Sequence, residues 1–293
     1  MKIVCSIYQI EQLHRLKDTI DYAILMVPNI SLNYMDLDID LAISYCLDNH
    51  IGIILAIDKL YLPKEIDLVS KFIDKYQNLC DYFYITDLGI GNLMITKKCQ
   101  NKVIFDPKTM ICNSLDLNIY NSLGFEALGL SSEITKEDIL SIYDKTKANI
   151  FYQIFGYRLM FYSKRNLISL YEKKNNATYP HEAYLKEATR NDYFPILENE
   201  NGTLIYRSYL ISYMEYLDEI KDLKYGFIES YLLDLDKLEI ITKTFKGLLN
   251  KEITIDMARL NILKLDLHIE DGFMFKDSVY EKKELKLWVN LNY

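Results

Sequence analysis

Five acidic residues stand where short apolar runs end: Asp58, Asp87, Asp106, Glu133 and Glu229. If those runs are parallel strands of one barrel, their C-terminal ends share a rim and the five carboxylates converge on it. Carboxylates gathered in this way divide into a general acid and a general base, or hold a divalent cation. Asp87, Asp106, Glu133 and Glu229 are taken as the catalytic candidates. For each acid alone, a turn or helix-cap role is the competing reading, because Asp after a strand often bonds its own backbone.

The complementary charges lie in residues 150–171, IFYQIFGYRLMFYSKRNLISLY. The pattern predicts a buried strand that breaks at Gly156 and presents Arg158, Lys164 and Arg165 in the following loop. Cations released at a strand end are a means of building a site for an anion. Arg supplies a planar fork for phosphate or carboxylate, and Lys a point charge. With Ser163, these three are the candidate substrate- and anion-binding residues. Phe155, Tyr157 and Phe161 alternate with the cations, a pattern that also suits stacking on unpaired bases. Ser163 and Lys164 do not make a catalytic dyad, since adjacent strand residues point to opposite faces.

Other chemistries find no support. The four histidines (14, 50, 181 and 268) form no H-E-x-x-H or His-x-His pair, which argues against a zinc hydrolase, and no metal ligands are assigned. Neither a G-x-S-x-G elbow nor a phosphate-binding P-loop occurs, and Gly89 and Gly91 are a lone G-x-G in DLGIGN. The formal charge of −8 disfavours nucleic-acid binding over the whole surface. Residues 156–190, however, carry seven Lys/Arg against three Glu, a net +4 that leaves −12 for the rest. That run is either a local anion-binding patch or a solvated face. The 25 tyrosines are read as compositional bias first.

Five cysteines (5, 46, 80, 99 and 112) are scattered, without C-x-x-C, as expected of free thiols in a reducing compartment. No basic and apolar leader begins the sequence, and no apolar run is long enough to span a membrane. A cytoplasmic location and no membrane partner are expected.

The elements that must position these residues alternate in type. Strands are predicted at 2–7, 22–27, 52–57, 81–86, 102–105, 126–130, 148–154 and 224–229. Helical segments at 9–18, 36–49, 63–76, 91–98, 113–123, 136–145 and 234–249 lie between or after them. Pro63 suits a helix start, and Thr135 with Asp138 forms a capping-box pattern. Eight βα-like units predict an α/β fold, a (β/α)8 TIM-barrel-like domain, with an open doubly wound sheet as the rival. A long insertion, 156–223, follows strand 7, and Asn201-Gly202 within it signals a hairpin. The barrel is expected to occupy 1–250. A C-terminal extension, 251–293, is read as a helix and an extended tail anchored by Trp288.

The segment GYRLMFYSKRNLISLY resembles the signature region of the U32 peptidase family, the collagenase-like peptidases. IFDPKTMICNSLD, GLSSEITKEDI, YFPILENENGTLIYRS and DGFMFKDSVY also resemble segments of its short firmicute-type branch. The resemblance covers most of the chain. It implies a barrel and one of two activities: peptide hydrolysis, or hydroxylation of tRNA wobble uridine, ribosomal RNA or ubiquinone precursors. The short branch is most similar to the tRNA wobble-uridine hydroxylation proteins.

Glu133, Ser163, Lys164 and Arg165 match the family pattern. Other positions depart from it. Family members with an iron–sulfur cluster have cysteines at the positions of Leu159, Asn166, Thr189 and Ser212, so no such cluster is expected here and the cofactor is left unknown. A family His is Phe155 and a family Glu is Phe151. The resulting expectation is a protein of tRNA wobble-uridine hydroxylation, with tRNA and a longer U32 paralogue as partners. The alternatives are a peptidase and a non-catalytic partner subunit.

Overall fold

The computed structural model describes residues 1–186, 188–189 and 191–275. Eight parallel strands close into a barrel: β1 (Lys2–Ile7), β2 (Tyr22–Leu25), β3 (Gly52–Ile57), β4 (Tyr82–Ile85), β5 (Val103–Phe105), β6 (Ala127–Gly129), β7 (Ile150–Ser163) and, eighth in the ring, β11 (Tyr225–Ile228). β11 pairs with both β1 and β7, which seals the sheet. The open-sheet alternative is thereby excluded.

Each strand reads as an unbroken apolar run because both its faces are covered. Val4, Ile24, Ile54, Tyr84, Ile104, Phe151 and Phe227 fill the barrel. Their neighbours Cys5, Leu25, Leu55, Phe83, Phe105 and Ile228 pack outward against the helices.

The surrounding helices are α1 (Ile10–Leu16), α2 (Ile39–Asp48), α3 (Ile66–Tyr76), α4 (Leu88–Thr96), α5 (Ser114–Ser122) and α6 (Lys136–Asp144). Asp38, Asp87, Asn113 and Thr135 cap α2, α4, α5 and α6 by accepting backbone amides. Each such cap is worth about 0.5–2 kcal/mol. Thr135 and Asp138 form a reciprocal box.

The main departure from the sequence reading is at Gly156. The strand does not break there but runs on to Ser163. Gly156 has φ +113°, and a Cβ on it would lie 2.3 Å from the Glu229 carbonyl oxygen. Glycine thus lets β7 pass against the end of β11, where the β11–β7 register shifts. Beyond this point β7 leaves the barrel and pairs antiparallel with β10 (Gly202–Ser212). β9 (Tyr193–Asn199) and β8 (Glu182–Lys186) extend that sheet outward, and α7 (Leu167–Asn175) precedes them. Glu200 and Asn201 form the β9–β10 turn, with Gly202 already paired to Asn199, one residue earlier than the Asn-Gly signal suggested.

After the short α8 (Leu217–Ile220) and β11 come α9 (Leu235–Leu249), α10 (Ile255–Leu263) and β12 (Ile269–Glu270), the last pairing with β10. The tail beyond Phe275, including Trp288, lies outside the described residues. No described helix is long and apolar enough to cross a membrane.

Candidate active site

A cavity of about 220 Å³ opens at the C-terminal mouth of the barrel. It is built from residues just past the strand ends and roofed by the outer part of β7 and by β10. Asp58 follows β3, Asp106 follows β5 and Glu229 follows β11, and all three line it. Tyr8, after β1, lies on the same wall, and Tyr206 reaches in from β10.

Glu229 is fixed by one of its oxygens. Oε1 accepts from Ser6 Oγ (2.6 Å), the Tyr8 hydroxyl (3.1 Å) and the Tyr231 amide (3.0 Å). Ser6 is itself bound to Ser230, whose amide donates to Ser6 Oγ at 2.8 Å. Oε2 has no hydrogen-bond partner among the described residues.

Asp58 is more loosely held, with Oδ1 accepting from the Leu32 amide at 2.8 Å. Burial pushes its carboxyl up to about 6, helped by the negative charge of Glu229, while the Leu32 amide and the Lys108 cation pull the other way. An acid that changes protonation near neutral pH, beside a second carboxylate, is what proton transfer requires.

Asp106 belongs to a third cluster. Its Oδ2 accepts from the Tyr84 hydroxyl (2.7 Å) and Lys108 Nζ (3.0 Å), and its Oδ1 from the Lys108 amide (3.1 Å). Lys108 adopts φ +65°, a left-handed conformation that costs a non-glycine residue roughly 1–2 kcal/mol. The turn curls both its amide and its ammonium onto Asp106, and the ammonium also contacts the Tyr84 hydroxyl. Gly129 makes this possible: a Cβ there would sit 2.4 Å from Asp106 Oδ1. Burial, then nearby carboxylates, push the Tyr8, Tyr84 and Tyr206 phenols well above their ordinary range, so all three remain hydrogen-bond donors.

Arg158 lines the cavity from β7 rather than from a loop, and is 6% exposed. Its Nη1 donates to the Ser132 carbonyl at 2.6 Å, and its guanidinium lies 5.5 Å from the Tyr152 ring and 5.8 Å from the Tyr213 ring.

The remaining candidates lie elsewhere. Asp87 is the cap of α4, accepting from the Gly89 amide at 2.7 Å, and does not line the cavity. Glu133 is exposed, 3.8 Å from Arg207, because its loop turns outward after Ser132. Lys164 spans to the Leu60 carbonyl (2.5 Å) and Glu65 (3.1 Å), and Ser163 Oγ accepts the Arg165 amide at 3.2 Å. The Arg165 side chain is exposed. The five acids therefore do not share one rim site, and the cations do not form one loop. Phe155 is fully buried in the outer core and cannot stack on a base, whereas Tyr157 lines the cavity.

Lys108, Tyr8, Tyr84 and Tyr206 were missed in the sequence. Lys108 could have been found from the D-P-K turn after β5. The tyrosines had no signal of their own against a tyrosine-rich background.

The roof is latched by the β9–β10 turn. Asn201 Nδ2 donates to the carbonyls of Ser31 (3.2 Å) and Leu32 (3.0 Å), and its Oδ1 accepts from the buried Lys59 at 2.9 Å. Lys59 and Lys164 both pair with Glu65. The Leu62 amide and these two lysines outweigh burial and hold the Glu65 carboxyl down at about 2.

Leu159, Asn166, Thr189 and Ser212 offer no thiolate, so these residues do not fit an iron–sulfur cluster. Among the described residues, no group of three or more His, Cys, Asp or Glu is placed to hold a metal ion.

Fold and cavity together define a (β/α)8 barrel protein whose polar site lies at the C-terminal mouth, under a lid formed by an excursion of strand 7. The family model of peptidase family U32 matches residues 31–268, and the chain belongs to that family. It is similar to tRNA hydroxylation protein P2 of Bacillus subtilis (strain 168), with 26% identity over 203 residues, covering 61% of this chain. The chain spans 64% of the length of that relative. Among solved structures, it is similar in fold to the U32 peptidase Mk0906, with a TM-score of 0.50 and 10% identity, covering 78% of this chain and 92% of that one.

Proposed function

We propose that the protein takes part in tRNA hydroxylation, at the wobble uridine. The observation that carries this reading is the similarity to the Bacillus tRNA hydroxylation protein. The cavity is compatible with it. Chemistry on a base requires the base to be held out of its stack, and Phe151, Tyr162 and Tyr206 provide ring faces beside Asp58 and Glu229. In this reading Asp58 exchanges a proton with the uracil, and the neutral Tyr206 phenol donates to one of its oxygens. The oxidising equivalents come from a co-substrate or from a longer family member acting as partner.

Mass spectrometry of tRNA from a deletion strain tests the proposal. Loss of 5-hydroxyuridine-type nucleosides, restored by the wild-type gene but not by Asp58→Asn, is the expected result. Unchanged levels in the deletion strain would overturn it.

A second reading, peptide hydrolysis, is favoured by one observation. Asp58 and Glu229 are two carboxyl groups in one cavity, and the raised Asp58 could pair with Glu229 to activate water. Cleavage of gelatin by the purified protein, lost in Glu229→Gln, would support it; no cleavage removes it.

A further inference from the structure

The mouth cavity contains a cation that the residues described so far do not neutralise. Arg158 is 6% exposed and forms no ion pair among the described residues. Its two terminal nitrogens reach only backbone carbonyls, those of Ser132 (2.6 Å) and Gln153 (3.5 Å). Its buried Nε makes no well-aligned hydrogen bond, and neither does the hydroxyl of Tyr152, which lies near the guanidinium and the Tyr213 hydroxyl without good geometry to either. Both residues line the cavity.

Asp106 is the carboxylate whose charge reaches Arg158, but both its oxygens are engaged by Lys108 and Tyr84. Leaving a guanidinium buried and unpaired is costly, and so is leaving two buried donors unmatched. A bound anion would remove both penalties at once.

We infer that the Arg158 end of the cavity is an oxyanion subsite. A carboxylate or phosphate oxygen there would accept from Arg158 Nε and the Tyr152 hydroxyl, with the Lys108 ammonium adding charge from the same cavity. Asp58 follows β3, across the ring from β7, and Glu229 follows β11, next to β7, so a ligand anchored by its anionic group at Arg158 reaches both acids with the rest of its body. The inference shares the cavity with the reading above but not its substrate, so it survives a negative tRNA result and can fail despite a positive one.

The test is thermal denaturation of the purified full chain, titrated with inorganic phosphate and separately with acetate, with chloride at matched ionic strength as control. Saturable stabilisation by at least one of the two oxyanions, and none by chloride, is expected. A phosphate response assigns the subsite to a nucleotide or RNA phosphate, and an acetate response to a carboxylate ligand.

Arg158→Gln should weaken that response about tenfold or more, the scale of a lost charged hydrogen bond. Should Arg158→Gln fail to fold, Tyr152→Phe carries the test, since it removes one hydroxyl and keeps the ring. Absence of saturable stabilisation by either oxyanion would overturn the inference. An unchanged response in both variants, or in Tyr152→Phe when Arg158→Gln does not fold, would do the same.

Discussion

At the scale of single residues, the site depends on an unequal treatment of similar groups. Glu229 is held by three donors on one oxygen, whereas Asp58 has one amide and much apolar burial. The sign of the Asp58 shift is set by burial and reinforced by Glu229. A carbon-detected NMR titration should therefore show the Asp58 carboxyl turning over near pH 6, and Glu229→Gln should move that midpoint downward. A midpoint unchanged by Glu229→Gln would mean that the two groups do not sense each other. Because the folded pKa exceeds the unfolded one, ionisation of Asp58 costs stability as pH rises through about 6. Asp58→Asn should remove that loss.

Gly156 gives a second test at this scale. Its φ of +113° and the 2.3 Å approach to the Glu229 carbonyl leave no room for a methyl group. Gly156→Ala should cost more than about 1 kcal/mol and lower the melting temperature by roughly 2–4 °C or more. A melting temperature within error of wild type would show that β7 can be rerouted at little cost.

The strand-end acids show how much of the site could be read from sequence. Three of the five, Asp58, Asp106 and Glu229, do reach the cavity, because a barrel brings strand ends together whatever the loops do. Asp87 and Glu133 do not, since they stand two residues past β4 and four past β6, where the chain is already capping the next helix or turning outward, whereas the other three come one residue past their strands. Only the backbone path decides between those outcomes, and it has no signature in residue type.

At the scale of elements, the decisive feature is the lid. Its β9–β10 turn is seated by Asn201 on the Ser31 and Leu32 carbonyls and on Lys59, and the end of β7 by Lys164 on Glu65. Asn201→Ala removes the bonds to Ser31, Leu32 and Lys59 and leaves Lys59 only its contacts with Glu65 and the Asn29 carbonyl. The lost bonds should raise hydrogen exchange of the β9 and β10 amides about tenfold or more. Exchange as slow as wild type would show that the turn is held by packing alone.

Glu65 makes the same latch sensitive to acid. Its folded carboxyl is held at about 2 against an ordinary 4.5. Its contribution is thus complete above about 4.5 and lost as pH falls towards 2. In Glu65→Gln that acid-dependent loss of stability should shrink, as followed by denaturant unfolding at a series of pH values. The barrel strands were legible because each is a bounded apolar run. The lid was less so: Gly156 was read as a break, whereas in the fold it lets one strand serve two sheets.

At the scale of the whole molecule, charge is distributed unevenly. The chain is acidic overall, at −8, yet residues 156–190 carry +4. Lys173, Lys174 and Lys186 are exposed on the excursion, so its outer surface presents cations beside a mouth lined by acids. If the protein works on tRNA, these cations meet the phosphates. Replacing Lys173 and Lys174 by Glu should lower the slope of log affinity against log salt by roughly 1.5 or more, as expected for two lost phosphate contacts. A slope identical to wild type would place the RNA on another face. Family membership follows from a match over residues 31–268, and the mouth of the barrel is lined by tyrosines, Lys108 and Arg158 beside the acids.

The peptide groups of Leu32 have one further consequence. The Leu32 amide donates to Asp58, and the Leu32 carbonyl accepts from Asn201 and, at 3.1 Å, from Asn199. One residue is therefore a mechanical joint between roof and acid. The turn is anchored on the same short segment that donates the Leu32 amide to the Asp58 carboxyl. The amide that restrains the proton affinity of the buried carboxyl and the carbonyl that anchors the roof thus belong to one residue.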